Sequence, residues 1–141
     1  MAQPTLCIDT DIVIDFLRTR GSQKSLFETA IERYACAIPA IAAYEISFGI
    51  ERYGHPHDIT RFQRVLEAVE VLPFDLAAAR ASAQLDAALQ KTGVRLGFPD
   101  VFIAGICVAR SLPLLTRNLA HFARIPQLRL LQPDQLLPHS T

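Results

Sequence analysis

Residues Thr5–Leu17 read TLCIDTDIVIDFL, and this stretch decides the fold. Thr5, Leu6, Cys7 and Ile8 form a short apolar run that stops at Asp9, Thr10 and Asp11. Apolar residues then resume at Ile12, Val13, Ile14, Phe16 and Leu17. A buried run bounded by a capping residue reads as a strand feeding a helix. Asp11 is the expected N-cap, its carboxylate accepting from the free N–H groups of the first turn. Asp9 then stands at the carboxyl end of a central strand, where open α/β sheets bind ligands. A carboxylate there is a metal ligand, a nucleophile or simply a turn residue.

Outward from this stretch, the chain of 141 residues has room for one ordinary domain. Half of its residues are hydrophobic, which excludes a disordered chain. Fourteen basic residues balance fourteen acidic ones, so no net field draws the chain to nucleic acid or to a membrane surface. A nucleic-acid role must rest on a local patch. Only Lys24 and Lys91 are lysines; the remaining basic chemistry is arginine, a planar fork suited to phosphate. Cys7, Cys36 and Cys107 lie in apolar runs, without a CxxC pair, and read as buried free thiols of a reducing compartment. No apolar run reaches the ~20 residues of a membrane span and no signal peptide is apparent, so the cytoplasm is expected.

In chain order, Arg18–Ser22 reads as a loop, Gln23–Tyr34 as a helix and Cys36–Ile38 as a strand. Ala40–Tyr53 is a helix with Ile41, Tyr44 and Phe48 on one face. Glu45 falls on that same face, where a carboxylate needs compensation; a glutamate at the stripe edge that reaches water or an arginine is the plainer alternative. Gly54–His57 reads as a loop whose two histidines are solvated, followed by a helix from Asp58. Val69–Phe74 reads as a strand. Asp75 caps a helix over Leu76–Lys91, which Gly93 stops. After a loop over Val94–Phe98, Pro99 and Asp100 open a helix that is uncharged from Val101 to Ala109 and therefore buried nearly all round. Asp100 either serves that helix as a dipole partner or does chemistry. Leu112–Thr116 is a strand ending in Thr116, Arg117 and Asn118; a short helix passes Leu119, His121 and Phe122. Leu128–Leu131 is a final edge strand, and the tail from Gln132 is expected to fray.

Strands alternating with helices predict a parallel sheet covered on both faces. In such a sheet the strand carboxyl ends and the helix starts share one edge, so Asp9, Asp100, Glu45 and the Thr116–Asn118 turn can converge. Converging carboxylates repel. A divalent cation removes that penalty, and oxygen ligands of this type suit Mg²⁺ or Mn²⁺, which also neutralise charge on a phosphodiester.

The segments IDTDIVIDFLR, AIAAYEISFGI, VLPFD, GFPDVFIAG and LLTRNLAHFARIP, in this order, resemble the PIN-domain ribonucleases, specifically the VapC toxins of type II toxin–antitoxin modules. The resemblance covers nearly the whole chain. It implies a PIN-like three-layer α/β fold with a mostly parallel central sheet of four or five strands, a nuclease domain over 1–132 and a C-terminal tail over 133–141. It implies metal-dependent cleavage of RNA, transfer or ribosomal, that stops translation. Asp9 and Asp100 match metal ligands, and Glu45 matches the acid that acts through water. Asn118 stands where many members carry a fourth acid, which puts a two-metal site in doubt; His121 is not an acid either. Thr116 is placed to support the ligand shell. Arg117, Arg124 and Arg95 are candidates for gripping RNA phosphates. A VapB-type antitoxin and a homodimer are implied, with contacts on Lys24–Tyr34 and Ala40–Tyr53.

Three other readings compete. The DxDxV start fits a haloacid-dehalogenase-type phosphatase with Asp9 as nucleophile, but no lysine stands after a later strand. A receiver domain lacks its middle acid and late lysine. A catalytically inactive PIN-like binding protein is compatible with Asn118, and would keep its binding under chelation.

Overall fold

A computed structural model describes residues 2–19 and 24–136. Strand β1 (Leu6–Ile8) leads into helix α1 (Thr10–Arg18); α2 (Leu26–Arg33), β2 (Cys36–Pro39), α3 (Ala40–Tyr53), α4 (Pro56–Ala68) and β3 (Glu70–Leu72) follow. Then come α5 (Leu76–Lys91), α6 (Phe98–Ala109), β4 (Leu114–Leu115), α7 (Leu119–Phe122) and β5 (Leu130–Leu131), with a 3₁₀ turn over Pro133–Gln135. The five strands are all parallel, in the order β3-β2-β1-β4-β5. β1 is central, as its unbroken burial requires.

The pleat sorts side chains to two helical layers. Cys7, Ala37 and Leu114 point to the side covered by α5 and α6, where they join Leu85, Ile103 and Cys107. Leu6, Ile8, Ile38 and Leu115 point to the side covered by α1, α2 and α4, joining Val13, Phe27 and Phe62. The result is the three-layer α/β architecture expected, with the strand carboxyl ends on one edge.

Several local expectations are corrected. Asp9, not Asp11, is the N-cap of α1: its Oδ1 accepts from the Thr10 N–H at 2.8 Å. Of the expected Arg18–Ser22 loop, Arg18 is the last residue of α1, and residues 20–23 lie outside the described residues. The helix expected from Gln23 starts at Leu26, because Ser25 and Glu28 form a capping box. The expected Gly54–His57 loop is shorter: α4 starts at Pro56, a residue suited to a first turn, with Asp58 accepting from the His55 N–H at 3.0 Å. The strands around Val71, Leu114 and Leu130 are shorter than expected.

The expected apolar face of α3 is also wrong. Tyr44 and Phe48 are exposed and stacked on each other, while Ala42 and Ile46 are the buried pair. The tail does not fray directly after Gln132: Leu136 is fully buried against the α1/α2/α4 layer. Asp75 caps α5 as expected, accepting from the Ala78 N–H at 2.9 Å, and Gly93 leaves that helix with φ +80.

Candidate active site

The carboxyl edge of the sheet holds a pocket of about 220 Å³ lined by Asp9, Thr10, Asp11, Ile14, Glu45, Asp100 and Asn118. Each expected acid reaches it from a different element. β1 delivers Asp9, whose backbone N–H donates to the Leu115 carbonyl at 3.0 Å, tying this turn to β4. α3 presents Glu45 and the first turn of α6 presents Asp100. Asn118 stands just beyond β4, immediately before α7.

Each acid has its own hydrogen-bond donor. Asp9 is 6% exposed, and its Oδ2 accepts from the Thr116 hydroxyl at 2.7 Å. Thr116, fully buried, in turn accepts from the Asn118 N–H at 3.0 Å. Glu45 Oε1 accepts from the Thr10 hydroxyl at 2.9 Å. Asp100 Oδ2 lies 2.7 Å from His121 Nε2. Asp11, expected only as a cap, lines the pocket; its Oδ2 accepts from the Arg117 N–H at 3.1 Å and its buried Oδ1 has no partner among the described residues.

Burial pushes the Asp9 carboxyl up to about 6. The Thr116 and Thr10 hydrogen bonds pull it down; the like charges of Asp11 and Asp100 push it further up. The pocket is thus short of positive charge. Among the described residues, no three His, Cys, Asp or Glu side chains are drawn together tightly enough to hold an ion as they stand. The donor set nevertheless fits one. It is all oxygen, its carboxylates repel one another, and one of its buried oxygens is orphaned; these are the marks of a hard divalent cation.

The arginines fare differently from the acids. Arg117 is held by Asp15 through its guanidinium and by Asp11 through its backbone. Arg95 and Arg124 are exposed and do not line the pocket. Sequence reasoning missed Thr10, the pocket role of Asp11, and His121. All three sit inside the quoted segments, but their partners lie across the fold. Beside the pocket a second groove of about 360 Å³ shares Ile14 and Glu45 with it, its walls including Leu17, Ile46, Ile50 and Tyr53.

Comparison with known proteins agrees with this geometry. The PIN domain family matches residues 6–128. A tRNA(fMet)-specific endonuclease VapC of Salmonella typhimurium is 33% identical over 94 residues, 66% of this chain and 71% of the relative. A ribonuclease VapC of Rickettsia bellii is 29% identical over 130 residues, 89% of this chain and 94% of the relative. Among solved structures, DNA-bound VapBC from Salmonella typhimurium superposes with a TM-score of 0.81 at 26% identity, covering 93% of this chain and 99% of that one. The chain belongs to the PIN-domain family, among the VapC ribonucleases. Nucleases of this kind are in general dependent on a divalent metal. The phosphatase and receiver-domain readings fall with this match.

Proposed function

We propose that this chain is the toxin of a type II toxin–antitoxin module, cutting RNA at internal phosphodiesters in the pocket lined by Asp9, Glu45, Asp100 and Asn118. The observation that carries the reading is the convergence of these four residues, up to 109 positions apart, on one edge of the sheet. Asp9 and Asp100 are the residues that would hold Mg²⁺ or Mn²⁺. A divalent cation there supplies positive charge, offsetting both the repulsion among the acids and the charge that builds on a phosphodiester under attack.

The remaining work belongs to the chain. Thr116 and the Thr10 N–H lock the Asp9 carboxylate in one orientation. Thr10 holds Glu45 by one oxygen, leaving the other to accept from and orient the attacking water. Asn118, an amide where a fourth acid is common in the family, adds a dipole without a charge and so favours a single cation over two. Arg95 and Arg124 are exposed and free to meet RNA phosphate; Arg117 must first give up Asp15.

The relatives named for tRNA(fMet) support transfer RNA as the substrate ahead of ribosomal RNA, with arrest of translation as the outcome. The VapBC neighbours support a VapB-type antitoxin as partner. The groove beside the pocket, walled by α3, is the surface on this chain that suits an antitoxin segment. Exposed Tyr44, Phe48, Leu76 and Phe98 support self-association as a homodimer. Three buried free cysteines support a reducing compartment, the cytoplasm. Among the described residues no helix is long and apolar enough to cross a membrane.

The test is cleavage of a cellular RNA pool by the purified protein, with RNA ends mapped with and without chelator. Asp9→Asn, Glu45→Gln and Asp100→Asn are each expected to reduce cleavage by about 100-fold or more, to relieve growth arrest, and to leave the circular-dichroism spectrum unchanged. Wild-type cleavage by all three, or cleavage indifferent to chelation, overturns the assignment.

A further inference from the structure

We propose that His121 is the positioning residue of Asp100: by holding one carboxylate oxygen, it fixes the other toward the pocket for a divalent cation of the Mg²⁺/Mn²⁺ class. The proposal rests on the reading of Asp100 as a metal-facing residue.

Asp9 has the Thr116 hydroxyl and the Thr10 N–H on its two oxygens, and Glu45 has the Thr10 hydroxyl. Among the described residues the Asp100 side chain has only His121, from 21 positions further along the chain. A carboxylate has no proton to give, so the ring nitrogen 2.7 Å from Oδ2 is the donor. The imidazole is itself well placed to direct its partner. It stands edge-on to Phe122, ring centroids 5.4 Å apart and planes at 80°, and Phe122 is fully buried. Helix α7 is a single turn, and this buried phenyl ring anchors it to the α5/α6 layer. Asp100 sits in a first helical turn with its side chain a third exposed, and without His121 it would have no side-chain donor among the described residues. Its carboxylate would then have to be ordered by the cation itself. Hydrogen-bond partners behind a ligand typically govern 10- to 100-fold in metal affinity.

The experiment is calorimetric titration of Mn²⁺ into the full chain, purified free of metal and of antitoxin. His121→Phe keeps a ring against Phe122 and removes the donor; His121→Gln returns an N–H near the Nε2 position. The Phe variant is expected to bind Mn²⁺ about 10- to 100-fold more weakly, the Gln variant to recover most of that loss, and both to keep the metal-free melting temperature of the wild type. Should the Phe variant not fold, His121→Ala takes its place. Wild-type Mn²⁺ affinity in the donorless variant overturns the proposal, and so does a Gln variant no better than it. Asp100→Asn in the same titration separates the two levels of the argument. Unchanged affinity there overturns the ligand role of Asp100 itself. Lost affinity there, with His121→Phe unaffected, overturns only the role of His121.

Discussion

Asp9→Asn should inactivate the enzyme and, in the absence of metal, make it more stable. The carboxyl is 6% exposed, and its pKa is pushed from the ordinary 3.8 to about 6, chiefly by burial. The folded state therefore prefers the protonated acid. Its contribution to stability is fully present below the unfolded value near 3.8 and is lost as pH rises through about 6. At 1.36 kcal/mol per pKa unit the full loss is about 3 kcal/mol, of which about 2 kcal/mol falls between about pH 4.5 and pH 7.5. An amide keeps an oxygen for the Thr10 N–H and carries no charge, so the variant escapes this loss. The assay is urea denaturation of both proteins in chelator at the two pH values. The quantity of interest is the change with pH of the stability difference between variant and wild type, in which pH-independent effects of the substitution cancel. The variant should gain about 2 kcal/mol on the wild type between the two conditions. A difference that does not move with pH would refute the claim that Asp9 is ionised at a cost. Adding Mn²⁺ should remove the advantage by stabilising the wild type alone.

The neighbouring residues give further tests. Thr116→Val removes the hydrogen bond that lowers the Asp9 pKa, so the carboxyl should titrate clearly above about 6 in a carbon-detected NMR experiment on the metal-free protein; a value still at about 6 would count against the bond. Asn118→Asp adds a carboxylate to the pocket and should tighten Mn²⁺ binding while lowering metal-free stability, read by calorimetry and by melting. Gly105→Ala would drive a Cβ into the Ser82 hydroxyl and to 2.8 Å from the Ala78 carbonyl, and should cost about 1–3 kcal/mol or more in denaturation. Leu136→Ala should cost about 2–5 kcal/mol, where a loose tail would give no change.

The order of elements was legible because the apolar runs and caps are local. Asp75 before an alanine-rich helix and Pro99–Asp100 before an uncharged one need no knowledge of the rest of the chain. Asp9 and Asp100 were legible for a related reason, since one ends an apolar run and the other precedes one; Glu45 was reached through a supposed apolar face whose Tyr44 and Phe48 are exposed. What escaped the sequence depends on distance. Asp9 and Asp11 are equally good caps on paper; Asp9 wins because its N–H is already bound to Leu115, which sets where the helix starts. The buried face of α3 was misread because packing against the sheet and α1 selects Ala42 and Ile46, leaving the bulkier Tyr44 and Phe48 outside. Leu136 gave no signal, since the pair Leu136 and Leu137 between Pro133 and Pro138 belongs to no periodic pattern. Thr10 and His121 are ordinary residues until folding brings Glu45 and Asp100 to them.

Placing β4 next to β1 also closes the cleft from distant parts of the chain. Thr116, the group that steadies Asp9, is made 107 positions after it, and Leu136, which seals one layer, comes later still. A chain broken off before Thr116 would lack both this wall of the cleft and the hydroxyl donor on Asp9.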